Sequence, residues 1–306
     1  MTTTYLIKRN IKMFFKDKGL VLSSLITPLI LILLYVTFLK NVYVDSFNSA
    51  LEQVNMTIDE KYINGFVYGW LFSSLLAVSG VTVSFCSNLL MVQDKVTGAI
   101  NDLEIAPVKR TRIAIAYYVA SMTVSYVIVL IEALVGFLIM AGTGWFLSFS
   151  DVLQILLGAF LLVNFGTALS SCIHFFLTTQ GQMSAVGTIV SSVYGFICGA
   201  YMPISQFGSG LQKVLSFLPG TYATAFIRNG YERGVLAKLV GVCNFPQEVV
   251  DSMAKTFDVN MTFFGNNVPN WVCGLVLGLS VVLFLGIYIL LNARKNRKLN
   301  QNKITK

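Results

Sequence analysis

Few residues in this chain have types and spacing that could do chemistry. Glu132 falls in the middle of a long apolar run, where a charge costs several kcal/mol unless it is paired, wet or protonated. Two readings stand side by side for it. It is a cavity-facing group that meets a cationic headgroup or cargo, or a neutral carboxyl hydrogen-bonded between helices. Asn164, near the middle of another apolar run, suits interhelical hydrogen bonding more than ligand contact. Together these two residues mark a candidate cargo path. His174 is the single histidine, which argues against a metal site or a proton relay. Soluble-enzyme constellations are missing: there is no Ser-His-Asp set, no HExxH and no clustered carboxylate pair. No Gly-Lys pair occurs anywhere, which excludes a phosphate-binding GxxxxGK[ST] loop. The expectation is no catalytic residue, no directly bound cofactor and no metal.

The elements that position these residues follow from composition. A chain of 306 residues, 55% hydrophobic and 12% charged, is too apolar for a soluble domain. Its net charge of +8 lies beside apolar segments rather than over a face, which reads as membrane topology and not as nucleic-acid binding. Six runs can each cross a ~30 Å hydrocarbon layer: residues 19–40, 65–92, 113–141, 152–177, 183–202 and 270–292. Pro28 inside the first is expected to loosen or kink its helix. Fifteen of the 22 Lys and Arg residues fall before the first run, in 93–112 and after the last run, so both termini are expected on the cytoplasmic side. The tail 293–306, with Arg294, Lys295, Arg297, Lys298, Lys303 and Lys306, reads as a solvated anchor. The five cysteines show no metal spacing, and a Cys243–Cys273 disulfide on the outer side is left open.

Three segments outside the spans have pattern. Residues 1–18 place Ile7, Ile11, Phe14 and Phe15 on one helical face and Lys8, Arg9, Lys12 and Lys16 on another. Such a helix lies flat in the headgroup region, drawn to anionic lipid or an acidic partner, or serves only as a positive-inside anchor. Residues 93–112, QDKVTGAINDLEIAPVKRTR, put Val96, Ala99, Ile100, Leu103 and Ala106 on one side of a short amphipathic helix stopped by Pro107. Residues 203–219 are apolar but too short to cross, with Leu211, Val214, Leu215 and Leu218 at helical spacing, which fits a hairpin dipping into the bilayer. Residues 41–64, with Asp45, Glu52, Asp59 and Glu60, read as a polar loop. Residues 230–267 read as a small cap, with Pro246 opening a helix through Val249, Val250, Met253 and Phe257.

Lys95, Gly98, Leu103, Pro107 and Arg110 resemble the first cytoplasmic loop of the membrane subunit of type-2 ABC exporters: a basic lead, a Gly, then a Leu, a Pro and a basic residue at fixed steps. Ala99 and Asn101 depart from the family's usual Gly-Thr and Glu. Pro203, Pro219, Thr221, Tyr222 and Arg228 are similar to the segment after the fifth span of that family, with Gly208 where a second Pro is frequent. The resemblance implies an all-α integral membrane protein of six transmembrane helices, with an N-terminal interface helix, a cytoplasmic coupling helix and an extracellular re-entrant hairpin. It implies a permease without ATPase activity of its own in the cell membrane. Separate ABC ATPase subunits that bind ATP and Mg would dock on Val96, Gly98, Ile100, Leu103, Pro107 and Arg110, on the N-terminal helix and on the turn 178–182. A second copy or a sister permease would complete the pathway. The cargo expected is a drug, antimicrobial peptide or lipid; the alternatives are a lipid-linked polysaccharide, or a partner or sensor protein that transports nothing. Aromatic clusters such as Phe66, Tyr68, Trp70 and Phe72, or Tyr117 and Tyr118, serve as interface belts, or as sugar platforms if the cargo is a glycan.

Overall fold

The computed structural model describes residues 2–53, 58–106, 108–243 and 245–304. The architecture is a helical bundle with one two-residue hairpin: α1 Thr2–Lys16, α2 Lys18–Leu34, a π-helical turn Tyr35–Leu39, α3 Lys40–Gln53, α4 Glu60–Ser87, α5 Leu89–Val96, α6 Ala99–Ile105, α7 Arg110–Thr143, α8 Phe149–His174, α9 Gln180–Ile197, α10 Ser209–Leu215, α11 Pro219–Gly241, α12 Gln247–Thr256, β1 Thr262–Phe263, β2 Asn266–Asn267 and α13 Asn270–Ile304. Among the described residues, five stretches are long and apolar enough to cross a membrane: Lys18–Asp45, Glu60–Val96, Arg110–Thr143, Phe149–His174 and Asn270–Lys295. They coincide with five of the six expected spans. The other, expected at 183–202, is α9, an 18-residue helix that opens on Gln180-Gly181-Gln182 and falls outside that set.

The core is built around α4. Every residue from 65 to 92 is buried, and α2, α3, α7, α8, α9 and α11 all pack on this helix. A segment apolar on every side has to be enclosed on every side, which is why it shows no amphipathic stripe.

Three expectations change. Residues 41–64 do not form a polar loop throughout: the first span continues through the π turn into α3, because Tyr43 and Phe47, four residues apart, pack on Trp70 and Phe66 of α4 with ring centroids 4.6 and 5.4 Å apart. The helix α2 runs unbroken through the buried Pro28, and the change of helical pitch comes at Tyr35–Leu39 instead. Residues 230–241 are not part of a cap. They belong to α11, which is buried against α4, α8 and α13 despite carrying Arg228, Glu232, Arg233 and Lys238. The expected helix after Pro246 is α12, with Val250 buried and Val249, Met253 and Phe257 against the main core.

Both described ends of the chain lie at one end of the bundle. Helix α1 packs along the start of α7, and Tyr288 of α13 reaches the same layer, its hydroxyl donating to the Ala114 carbonyl at 3.4 Å. At the opposite end, α12 and the β1–β2 hairpin cover α10 and α11. The hairpin turns through Phe264 and Gly265, both at positive φ as a type I′ turn demands.

Candidate functional site

The loop after α5 is shaped by one residue. Gly98 has φ +80°, a left-handed conformation that closes α5 and starts α6 as a separate helix. The 93–112 segment is therefore not a single amphipathic helix as the spacing suggests. Val96 stays on α5 and is exposed, while Ile100 and Leu103 turn inward and pack on the buried layer formed by α1, α5 and α7. Gly98 and Arg110 are half-buried at the two ends of the loop, and Pro107 lies outside the described residues. The outward face of α6 holds Asn101, Asp102 and Ile105, and Ile105 is 82% exposed. Sequence spacing identified the face that packs on the protein itself; the outward apolar residue was hidden by its position on the polar side.

The loop is fastened at three points. Arg9 of α1 pairs with Asp94 at 2.5 Å, and the Tyr117 hydroxyl of α7 donates to the same carboxylate. Arg9 thus turns from the other basic residues of α1 to a carboxylate of the chain itself, and Phe15 is exposed instead of sharing the buried side with Phe14. The hydrogen bond from Arg9 to Asp94 raises the guanidinium above its ordinary value. Gln93 donates to Asp17 at 2.8 Å, and Asp17 caps α2 through the amides of Gly19 and Leu20. Lys95 donates to the carbonyls of His174, Phe175 and Leu177 at 2.7, 2.9 and 3.1 Å, filling the unsatisfied end of α8 with a cation. That clasp joins the first loop to the 178–182 turn, where Thr179 and Gln182 form the capping box that opens α9.

Within the bundle, Glu132 is buried on α7 and neither oxygen has a hydrogen-bond partner. Asn164 lies elsewhere: its side-chain oxygen accepts from Tyr118 at 3.0 Å, tying α7 to α8. Glu132 and Tyr118 are fourteen residues apart on α7, about 21 Å along a helix, so the two candidate path residues do not form one site. His174 is fully buried edge-on to Phe85, with ring centroids 5.6 Å apart, and no cluster able to hold a metal exists among the described residues. A polar seam that the spacing gave no sign of joins α4, α7 and α8. Asn88 donates to Ser170 and Ser171 at 3.0 and 2.8 Å and accepts from Ser121 at 3.2 Å, while Ser87 and Ser125 lie 2.7 Å apart.

At the other end, Pro219 starts α11 and Thr221 locks the turn from α10, its hydroxyl donating to the Leu218 and Leu215 carbonyls at 2.6 and 3.1 Å. Pro203 is buried where the chain leaves the α9 turn, and Tyr222 packs with Met261 and Cys273. Arg228 is 1% exposed and knits four segments together. Its terminal nitrogens donate to the carbonyls of Phe257, Asp258 and Gly199 at 3.1, 3.3 and 2.8 Å and to the Ser74 hydroxyl at 3.0 Å. Its guanidinium lies 4.8 Å from the Trp70 ring centroid. One turn on, Glu232 is fully buried with no hydrogen-bond partner, an ionisable residue inside the bundle that the span assignment missed because α11 was read as exposed. All five cysteines are free, so the Cys243–Cys273 disulfide is not formed.

Apolar helices of spanning length, enclosing one wholly buried helix and joined by a fastened loop with an outward apolar residue, define a multi-pass helical membrane protein. Residues 2–231 match the family described as ABC-2 type transporter, and the chain belongs to that family. It is accordingly a transmembrane component of an ABC transporter, a component that carries no nucleotide-binding site of its own. The matched stretch ends inside α11, so the cap and α13 lie beyond it. No curated protein and no solved structure matches the chain.

Proposed function

We propose that this chain is the permease of an ATP-driven exporter that moves an amphipathic or hydrophobic cargo outward, energised by separate ATPase subunits that bind ATP and Mg. In this reading α9 serves as a sixth span, both termini are cytoplasmic, and a second copy or a sister chain completes the pathway. The observation that carries it is Ile105, a large apolar side chain held out from a loop that is otherwise pinned to α1, α7 and α8. A residue so placed transmits a push to the spans instead of absorbing it. Burying an isoleucine of this kind on a partner contributes about 1.5–3 kcal/mol, enough to change association tenfold or more.

The test co-purifies the chain with its ATPase and compares Ile105→Asp with Leu103→Asp. Ile105→Asp is expected to weaken association at least about tenfold with an unchanged melting temperature, whereas Leu103→Asp lowers the melting temperature because Leu103 is packed internally. Unaltered association and ATP turnover in Ile105→Asp sinks the docking role. Labelling of Ile105→Cys by a membrane-impermeant thiol reagent added outside intact cells sinks the topology as well.

A further inference from the structure

Below the β1–β2 hairpin lies a cavity of about 270 Å³, walled by α10, α11, the end of α12 and the hairpin itself. Its charged lining is Lys213, Lys255, Arg228 and Asp258, an excess of positive charge. Arg228 is the unusual member. Four of its five N–H donors go to neutral acceptors, and the remaining one, on Nε, is buried without a partner. The nearest carboxyls are Glu232, one turn on, and Asp258, whose carboxylate instead accepts the Ser205 amide at 3.2 Å; neither forms an ion pair with Arg228. A guanidinium taken out of water is costly, and with both carboxyls near it but neither in direct contact, an arriving anion would balance it more closely.

Helix α10 divides into two faces at this cavity. Ser209, Gln212, Lys213 and Ser216, at steps of three and four residues, line it. Leu211 and Val214 point the other way and are exposed, as is Phe217 just beyond the helix. Phe217 packs edge-on against Phe263 and Phe264 at 5.3 and 5.8 Å, extending an apolar strip from the cavity mouth, and Lys213 sits 5.8 Å from the Phe264 ring at the boundary. Size decides how much of a ligand enters. Pockets that enclose a whole drug-sized molecule run from about 300 to 1,000 Å³, so this one takes a headgroup and leaves a hydrocarbon tail outside, on the strip.

We propose that this cavity binds the anionic headgroup of an amphiphile, a phosphate-type oxyanion held by Lys213 and Lys255 above Arg228, with its tail along the outer face of α10. The inference goes beyond the transport reading and does not depend on the ATPase, because binding is read on the isolated full-length chain. The shared chemistry is the oxyanion, supplied either by a lipid headgroup or by free phosphate.

Trp70 beneath Arg228 provides the signal once the other two tryptophans are removed as Trp145→Phe and Trp271→Phe. The chain, purified in an uncharged detergent, is titrated with dihexanoyl phosphatidylglycerol, with sodium phosphate and with uncharged dihexanoylglycerol. Saturable change in Trp70 emission with the anionic lipid, and binding at least about tenfold weaker for phosphate, identifies a lipid headgroup as the occupant. Equal affinity for phosphate keeps the oxyanion site and assigns a free anion as its source. The exposed pair Lys213→Glu and Lys255→Glu, which leaves Arg228 and the core untouched, is expected to lower binding of the anion by tenfold or more, in line with charge-assisted contacts. Leu211→Asp is expected to weaken the lipid and leave phosphate unchanged. No saturable signal with either anion, dihexanoylglycerol binding as tightly as the anionic lipid, or wild-type affinity in the lysine double variant each overturns the proposal.

Discussion

Removing Arg9 is expected to harm this protein more than neutralising the carboxylate it meets. The Arg9 side chain is 31% exposed and that of Asp94 only 5%. Breaking a fully buried pair costs about 3–5 kcal/mol and an exposed one about 0–1 kcal/mol. Arg9→Ala lies between these limits, at about 2–3 kcal/mol, because it leaves a buried carboxylate with the Tyr117 hydroxyl as its remaining donor. Asp94→Asn leaves a guanidinium that can turn to water, so its cost is nearer 1 kcal/mol, about that of one hydrogen bond. Combining Arg9→Met with Asp94→Asn removes both charges, and the double variant should recover most of the loss, a non-additivity that contacting residues show. The assay is thermal unfolding in detergent, paired with hydrogen exchange of the α1 amides, since α1 is the element this contact holds. An Arg9→Ala variant no less stable than Asp94→Asn, or unaltered exchange over residues 2–16, refutes the argument.

Three further outcomes follow from the same geometry. Gly98→Ala meets no steric obstacle, the nearest atom to an added Cβ being Asn101 Nδ2 at 3.7 Å, so its cost is the left-handed backbone alone, about 1–2 kcal/mol; Gly98→Asn is expected to cost less, and equal melting temperatures would contradict this. Gly234→Ala places a Cβ 2.0 Å from the Phe146 carbonyl oxygen, forcing α11 away from the α7–α8 connection, and its unfolding midpoint falls by an amount matching about 1–3 kcal/mol or more. Asp17 is held below its ordinary value of 3.8 first by Gln93 and then by the Leu20 amide. Because the folded value is depressed, that stabilisation is complete above the unfolded value and lost as pH falls through the folded one; Asp17→Asn is expected to flatten the acid limb of a melting-temperature profile, and an unchanged limb excludes the contribution.

The spans were legible because length and apolarity carry the signal, and the wholly buried stretch, which runs from α4 into α5, coincides with the expected span 65–92. What escaped notice was decided by neighbours. The polar residues of α3 suggest a loop, yet Tyr43 and Phe47 fold it onto Trp70 and Phe66. Charges on α11 suggest exposure, but Arg228 finds three carbonyls in two other segments and the Ser74 hydroxyl in a third, a partnership no local pattern encodes. In the 93–112 loop the periodicity located the right residues on the inner face, and the left-handed Gly98 broke the assumed continuity. Glu132 and Asn164, paired by shared polarity, turn out to lie at different heights of the bundle, Asn164 being held by Tyr118 fourteen residues before Glu132 on α7.

The grip of Lys95 on three carbonyls of the α8 terminus has a mechanical side. Two connections that are some eighty residues apart along the chain are yoked, so neither can tilt without dragging the other. Under the docking proposed above, a push on α6 would load the second and fourth of the apolar spans together, so that a single point of attachment would steer both.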